Sequence, residues 1–312
     1  MFCQGWKRSG WGRRPDIATG GGQSGRARRG HRGFTVIELL VVLFVISLLL
    51  SILVPSLGKV RRHARALHSR SNLREIARAV NVYAVDNNDW YPPSVATNGP
   101  DVRFLSWTMP NRLVAVDAQG PRVHRSISAY LGPYVGDVEV MQCPNAPRRF
   151  RYLEDAWDQG DAWDNPDNGP GPDELRGSYC MFWDYRGYMP EFDRAFRGAE
   201  KSAGQAGDST LLATDYFAFD HRRHPNAYAS CEKFAASDRT IESSFYPSYW
   251  QTDEPLTGIR IRPAAAFIDG HVEPFDAQDT VEVKVAKTAD GRVPFADQLQ
   301  AGTVLIPRQA AR

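Results

Sequence analysis

Twenty-one consecutive residues, Phe34 to Val54 (FTVIELLVVLFVISLLLSILV), carry a single charge, Glu38. As a helix rising 1.5 Å per residue this stretch is about 31 Å long, enough to cross the hydrocarbon of a bilayer. Whatever else the chain folds into, it is expected to be anchored by this one helix. Three other uses of such a run fit less well. A cleavable secretory signal has a shorter apolar core, about 7–15 residues, followed by a small-residue cut site. Ala64-Arg65-Ala66 imitates that site, but it lies well past the apolar run in a strongly basic stretch. Arg13-Arg14 suggests twin-arginine export but stands too far upstream. An ordinary signal anchor fits the length and leaves Glu38 unexplained.

A carboxylate inside a spanning segment costs a few kcal/mol and usually marks function. Glu38 follows Phe34 by four residues, on the same helical face one turn on. Gly33 precedes Phe34, with Arg32 and three more arginines just upstream. A cut between Gly33 and Phe34 creates an α-amine that is protonated near neutral pH. The amine of one subunit and the Glu38 carboxylate of its neighbour can then neutralise each other and set the axial register of a stack.

The segment Gly33-Phe34-Thr35-Val36-Ile37-Glu38 with its apolar run resembles the type III signal of type IV pilins and type II secretion pseudopilins. Pro55 adds to the likeness, lying at the spacing from Phe34 where many pilins carry a helix-kinking proline. The resemblance implies cleavage after Gly33 by a prepilin peptidase, N-methylation of Phe34 by the same enzyme, and subunit docking guided by Glu38. It also implies an inner-membrane assembly platform and other pilin-like subunits as partners, in a homo- or hetero-filament. The leader, residues 1–33, is long for this class.

The formal net charge of +2 conceals an asymmetry. The leader holds eight Lys/Arg against Asp16, which leaves 30 basic and 35 acidic residues for the rest. That remainder has no basic excess with which to neutralise phosphates, so a nucleic-acid partner is not expected. Lys59, Arg61, Arg62, Arg65 and Arg70 crowd the far side of the apolar run, so charge bias alone does not orient it. The cleavage motif does, placing the N-terminus in the cytoplasm and the rest beyond the inner membrane.

Beyond Pro55 and Gly58 the helical period continues through Leu73, Ile76, Ala77, Val80 and Tyr83/Ala84, until Asn87-Asn88-Asp89 and Pro92-Pro93 stop it. The expected organisation is thus a leader (1–33), a long helix (34–88; transmembrane 34–54, amphipathic 56–88) and an extracytoplasmic globular part (89–312). Pro55 removes a hydrogen bond to the Ser51 carbonyl, which predicts a bend or local melting. Short apolar runs punctuated by Gly, Pro and Asp then predict antiparallel strands at Leu113–Asp117, Ser178–Asp184, Leu211–Phe217, Ala264–Ile268, His271–Phe275 and Thr280–Ala286, with a short helix in Ser126–Val135. The fold class is α+β: a long N-terminal helix packed on antiparallel sheet, as in pilins.

Asp269-Gly270 predicts a two-residue type I′ hairpin turn. The segment Ala266-Phe267-Ile268-Asp269-Gly270-His271-Val272-Glu273 resembles the terminal signature of large pseudopilin-like proteins with an H-X9-DG region. The histidine ten residues before Asp269 is replaced by Ile259, which leaves His221 or His224 as stand-ins if 225–258 is an insertion. Asp269 and His271 are expected to serve turn geometry more than binding. Met141-Gln142-Cys143-Pro144 resembles the Cys-Pro segment of the same group. Cys143–Cys180 is the disulfide expected in a compartment that permits one, with two buried thiols as the alternative.

Residues 154–174 form a Gly/Pro-rich loop with eight carboxylates, among them Asp158, Asp161, Asp164 and Asp167 at intervals of three. Hard oxygen ligands at this density suit Ca²⁺, though the EF-hand order is missing and a solvated acidic loop is the plainer expectation. No G-x-S-x-G, H-E-x-x-H or Walker loop is present. His221-Arg222-Arg223-His224 near Asp215 and Asp220 imitates a metal site, but histidines in a basic surface loop are commoner. The chain therefore reads as a non-enzymatic subunit that works by assembly, with no cofactor. A membrane-tethered protein binding a ligand or Ca²⁺ is the alternative.

Overall fold

The computed structural model describes residues 34–96, 109–115, 124–204, 209–219, 227–235, 239–243, 246–285 and 303–311. The chain divides into two compact units, Met1–Val54 and Pro55–Arg312. In the first, every described residue is exposed. It contributes the start of helix α1, Val36–Asp86, which is assigned without a break at Pro55, so the local melting expected there is not found.

In the second unit α1 becomes one-sided. Ser69, Asn72, Leu73, Ile76, Ala77, Val80 and Ala84 are buried, while Arg74, Arg78, Val82 and Val85 face outward. Spacings of three and four keep the buried set on one face. The helix ends as its sequence predicts. Asn88 and Asp89 adopt positive φ (56° and 66°), and the Asp89 amide turns back to the Ala84 carbonyl at 2.8 Å. Asn and Asp enter the left-handed region more readily than other side-chain-bearing residues, which makes them serviceable helix terminators.

Among the described residues the strands form three antiparallel sheets. A short pair joins β1 (Arg112–Val114) to β2 (Leu175–Arg176). Next in chain order come β3 (Tyr179–Met181), β4 (Arg186–Met189), β5 (Arg194–Arg197), β6 (Leu211–Asp215), β7 (Phe217–Phe219), β8 (Ala227–Ala229), β9 (Arg239–Ser243) and β10 (Tyr246–Thr252). The last are β11 (Ala264–Phe267), β12 (Val272–Pro274), β13 (Thr280–Val285) and β14 (Thr303–Pro307). The four-stranded sheet runs β12-β11-β6-β3, and the eight-stranded sheet runs β5-β4-β13-β14-β7-β8-β10-β9. Two short helices, α2 (Ser128–Leu131) and α3 (Leu153–Gln159), lie between β1 and β2 in sequence.

The four-stranded sheet separates two cores. Tyr179, Met181, Ala264 and Ala266 point to the α1 side, into one cluster with Leu73, Ile76 and Val80. Cys180, Ala265 and Phe267 point the other way, into a second cluster with Val281, Val283, Val304 and Ile306 of the large sheet. Strand alternation explains the division. The two sheets are also continuous in chain: β6 belongs to the small sheet and β7 to the large one, with only Tyr216 between them.

The expected strands correspond to β1, β3, β6, β11, β12 and β13; β3, β6, β11 and β12 are shorter than expected, β1 is shifted to begin at Arg112, and β13 fills the described part of its span. The expected turn type is corrected. The Gly270 amide bonds the Phe267 carbonyl at 2.9 Å, the Phe267 amide bonds the His271 carbonyl at 3.1 Å, and Gly270 is the turn residue with positive φ (82°). This is a three-residue loop, Ile268-Asp269-Gly270, with its glycine at the left-handed bulge position. The longer loop fits because Asp269 then needs no positive φ. The supposed insertion over 225–258 supplies β8, β9 and β10 of the large sheet.

Candidate assembly site at the start of the helix

Thr35 and Glu38 form a reciprocal cap at the start of α1. The Glu38 amide donates to Thr35 Oγ1 at 3.2 Å, while the Thr35 amide and hydroxyl donate to Glu38 Oε2 at 2.8 and 2.9 Å. This is the capping box, in which Thr at the cap and Glu three residues on satisfy each other's backbone donors. It places the cap at Thr35 and the helix start at Val36, next to Phe34, which is 77% exposed. Both Thr35 donors use Oε2 of the exposed Glu38. The hydroxyls of Ser47 and Ser51 bond the carbonyls of Leu43 and Leu48, each at 2.7 Å. The helix thus meets its own polar needs and presents an apolar surface, the condition for a spanning segment. It is long and apolar enough to cross a membrane. Gly33, the other half of the cleavage site, lies outside the described residues, and Pro55 is simply a helical position.

The other predicted site residues are dispersed. Cys143 is bonded to Cys231, not to Cys180, and Cys180 is a free, buried thiol. Strand parity is the reason: Cys180 faces the large-sheet core, whereas Cys143 and Cys231 belong to the helix-side core. The four loop aspartates do not converge. Asp161 bonds His124 Nδ1 at 2.6 Å and the Ser126 amide at 2.8 Å. Asp164 accepts from the Gly171 amide at 3.3 Å, and Asp167 binds Arg151 and the Tyr152 hydroxyl. Asp158 is exposed on α3. Asp269 and His271 serve the hairpin: the His271 amide donates to Asp269 Oδ1 at 3.1 Å, and its ring stacks on Phe267 at 4.4 Å. Asp220, His221 and His224 lie outside the described residues.

Sequence reasoning missed a polar knot where α1 meets the four-stranded sheet. Ser69 Oγ bonds both Tyr179 Oη and Asp215 Oδ1 at 3.0 Å, and Asp215 Oδ2 accepts the Ala264 amide at 2.7 Å. Asn72 donates to the Gln142 carbonyl at 3.0 Å and to Tyr179 at 3.3 Å. The Asp215 carboxylate and the two disulfide sulfurs all lie within 4.8 Å of one another. Burial pushes the Asp215 carboxyl up to about 7; the Ala264 amide and Ser69 hydroxyl oppose this, Glu232 adds to it, and Arg70 offsets part of it. The available signal was Ser69 and Asn72, two polar residues in line with the apolar stripe of α1.

A comparison with known families falls on the same end of the chain. The profile of the family described as "Prokaryotic N-terminal methylation motif" matches residues 28–54. The type IV wide pilus major component PilA4 of Thermus thermophilus is 34% identical over 62 residues, which is 20% of this chain and 47% of that protein. The chain thus spans about half the length of that relative. No solved structure matches. With its methylation motif, its apolar helix and its antiparallel sheets, the chain is type IV pilin-like.

Proposed function

We propose that the protein is a structural subunit of a pilin-like filament, either a type II secretion pseudopilus or a type IV pilus. On this reading a prepilin peptidase cuts between Gly33 and Phe34 and methylates Phe34. The helix then anchors the subunit in the inner membrane with its globular part outside, until an assembly platform hands it to other pilin-like subunits. The observation that carries the reading is the capped helix start: an exposed apolar helix segment that begins at Val36, two residues after Phe34, and holds Glu38 in its first turn. The wide-pilus component it resembles over 62 residues supports the same reading. The disulfide Cys143–Cys231 fits an oxidising compartment on the far side of the membrane. Mass spectrometry of the mature N-terminus tests the first step. A chain beginning at N-methyl-Phe34 is expected; one beginning at Leu67, after Ala64-Arg65-Ala66, would overturn it.

A further inference from the structure

The face of α1 that packs the core at Ser69–Ala84 does not end there. Traced back toward the apolar run, the same row passes through Ala66, His63, Arg62 and Lys59, at spacings of three and four. There it borders a cleft of about 570 Å³ instead of core, lined by Lys59, Arg62, His63, Arg65, Asn145, Glu232, Lys233 and Trp250. The far wall is organised. Trp250 Nε1 donates to the Asn145 carbonyl at 3.2 Å, and the Lys233 ammonium lies 5.4 Å above the indole ring. Glu232 is the single acid in the lining, and its Oε2 already accepts the Arg262 amide at 2.8 Å. Four basic side chains, Lys59, Arg62, Arg65 and Lys233, around one concavity concentrate anions. No ion pair is formed by Lys59, Arg62 or Arg65 among the described residues.

We propose that this cleft binds the phosphate headgroup of an anionic phospholipid from the membrane in which the chain is anchored. The inference rests on the anchored reading of residues 34–54. Pro55 is bonded directly to the apolar run, and Lys59 lies about 6 Å further along the helix, at headgroup depth, while Arg65, about 15 Å along, lines the same cleft. Exposed Leu57 and Val60 alternate with the cations, and Trp250 is the amphipathic ring that favours this level of a membrane. A volume of this size holds a glycerophosphate group. The cationic lining gives it selectivity for anionic over zwitterionic lipid.

The test uses the full chain in a zwitterionic detergent. Phosphatidylglycerol, phosphatidylcholine and inorganic phosphate are added separately, with thermal unfolding and native mass spectrometry as readouts. Phosphatidylglycerol should bind and stabilise; the other two should not. Each basic residue near an anionic headgroup is worth about fivefold in affinity, so Arg62→Gln with Arg65→Gln should weaken binding about thirtyfold. Lys233→Gln, on the opposite wall, should weaken it about fivefold by the same reasoning, whereas Arg61→Gln, outside the lining, should leave it unchanged. Equal stabilisation by inorganic phosphate would make this a free-anion site and overturn the lipid proposal. Equal binding of both lipids, or an Arg61→Gln effect as large as that of Lys233→Gln, would overturn it too. Carbonate extraction of membranes reads the anchor separately. A chain that washes out sinks the anchored reading, while one that stays but ignores phosphatidylglycerol sinks only this proposal.

Discussion

Asp215 ties β6 to the Ala264 amide of β11 and to Ser69 of α1, and burial raises its carboxyl to about 7 from an ordinary 3.8. The folded state therefore holds this proton more tightly than the unfolded chain does. The stability it contributes is fully present below about pH 4 and is lost as pH rises through about 7. The difference across that window is about 4 kcal/mol. For a chain of this size that corresponds to a melting-temperature fall of about 8–16 °C between pH 4 and pH 8. Asp215→Asn removes the titration and keeps the geometry, since an amide oxygen can accept from Ala264 while its NH₂ donates to Ser69. The assay is thermal unfolding of both full-length proteins across pH 4–8 in the absence of reductant, so that the disulfide stays intact. Taking the difference between them cancels the other carboxylates. Wild type should lose stability relative to the variant as pH rises, and the variant should equal or exceed it at pH 8. Parallel pH profiles, or a wild type that gains on the variant toward high pH, would refute the argument that burial outweighs the hydrogen bonds at this carboxyl.

Glu38→Gln should leave the helix start intact, because Gln also completes a capping box, and should leave cleavage at Gly33 largely intact. Filament recovery by shearing or crosslinking should collapse, since a neighbour's Phe34 amine would be buried without a counter-charge; normal yield would remove Glu38 as a docking residue. Cys231→Ser opens a cross-link with a sequence separation of 88 and should cost up to about 4–5 kcal/mol, whereas Cys180→Ala should leave disulfide content unchanged on non-reducing peptide mapping. Gly198→Ala should be severely destabilising, by about 3 kcal/mol or more in denaturant titration, because its Cβ would sit 1.5 Å from the Phe182 carbonyl oxygen, a backbone atom that cannot rotate away.

The N-terminal motif was legible in the sequence because it is linear. Its parts, Gly33 to Glu38 and the apolar run, are neighbours in the chain, and a helix fixes their relative positions. The same locality made the Asn88-Asp89 helix end and the Phe267–His271 hairpin readable, though a three-residue loop and a two-residue turn compete for one Asp-Gly pair. What stayed hidden was assembled over distance. The polar knot draws on residues 69, 72, 142, 179, 215 and 264, and the partner of Cys143 is 88 residues away. Strands β4 (RGYM) and β5 (RAFR) carry Arg and Gly where a strand pattern would want alternation, and exist through their hairpin pairing and the docking of β4 on β13. Strand β14, which closes against β13 and β7, has its partners fixed by topology and not by local sequence.

The single-residue joint at Tyr216 has a consequence for how the globular part comes apart. The stretch from Leu211 to Phe219 supplies a central strand to each of two sheets, so neither sheet can lose its inner ladder without pulling on the other. The large sheet is therefore not an ornament that can be trimmed away from a pilin-like nucleus. The amides of this stretch should exchange most slowly, opening only when the whole body opens, with local fraying left to the edge strands β3, β5, β9 and β12. A subunit built this way stays in one piece up to its limit and then fails all at once.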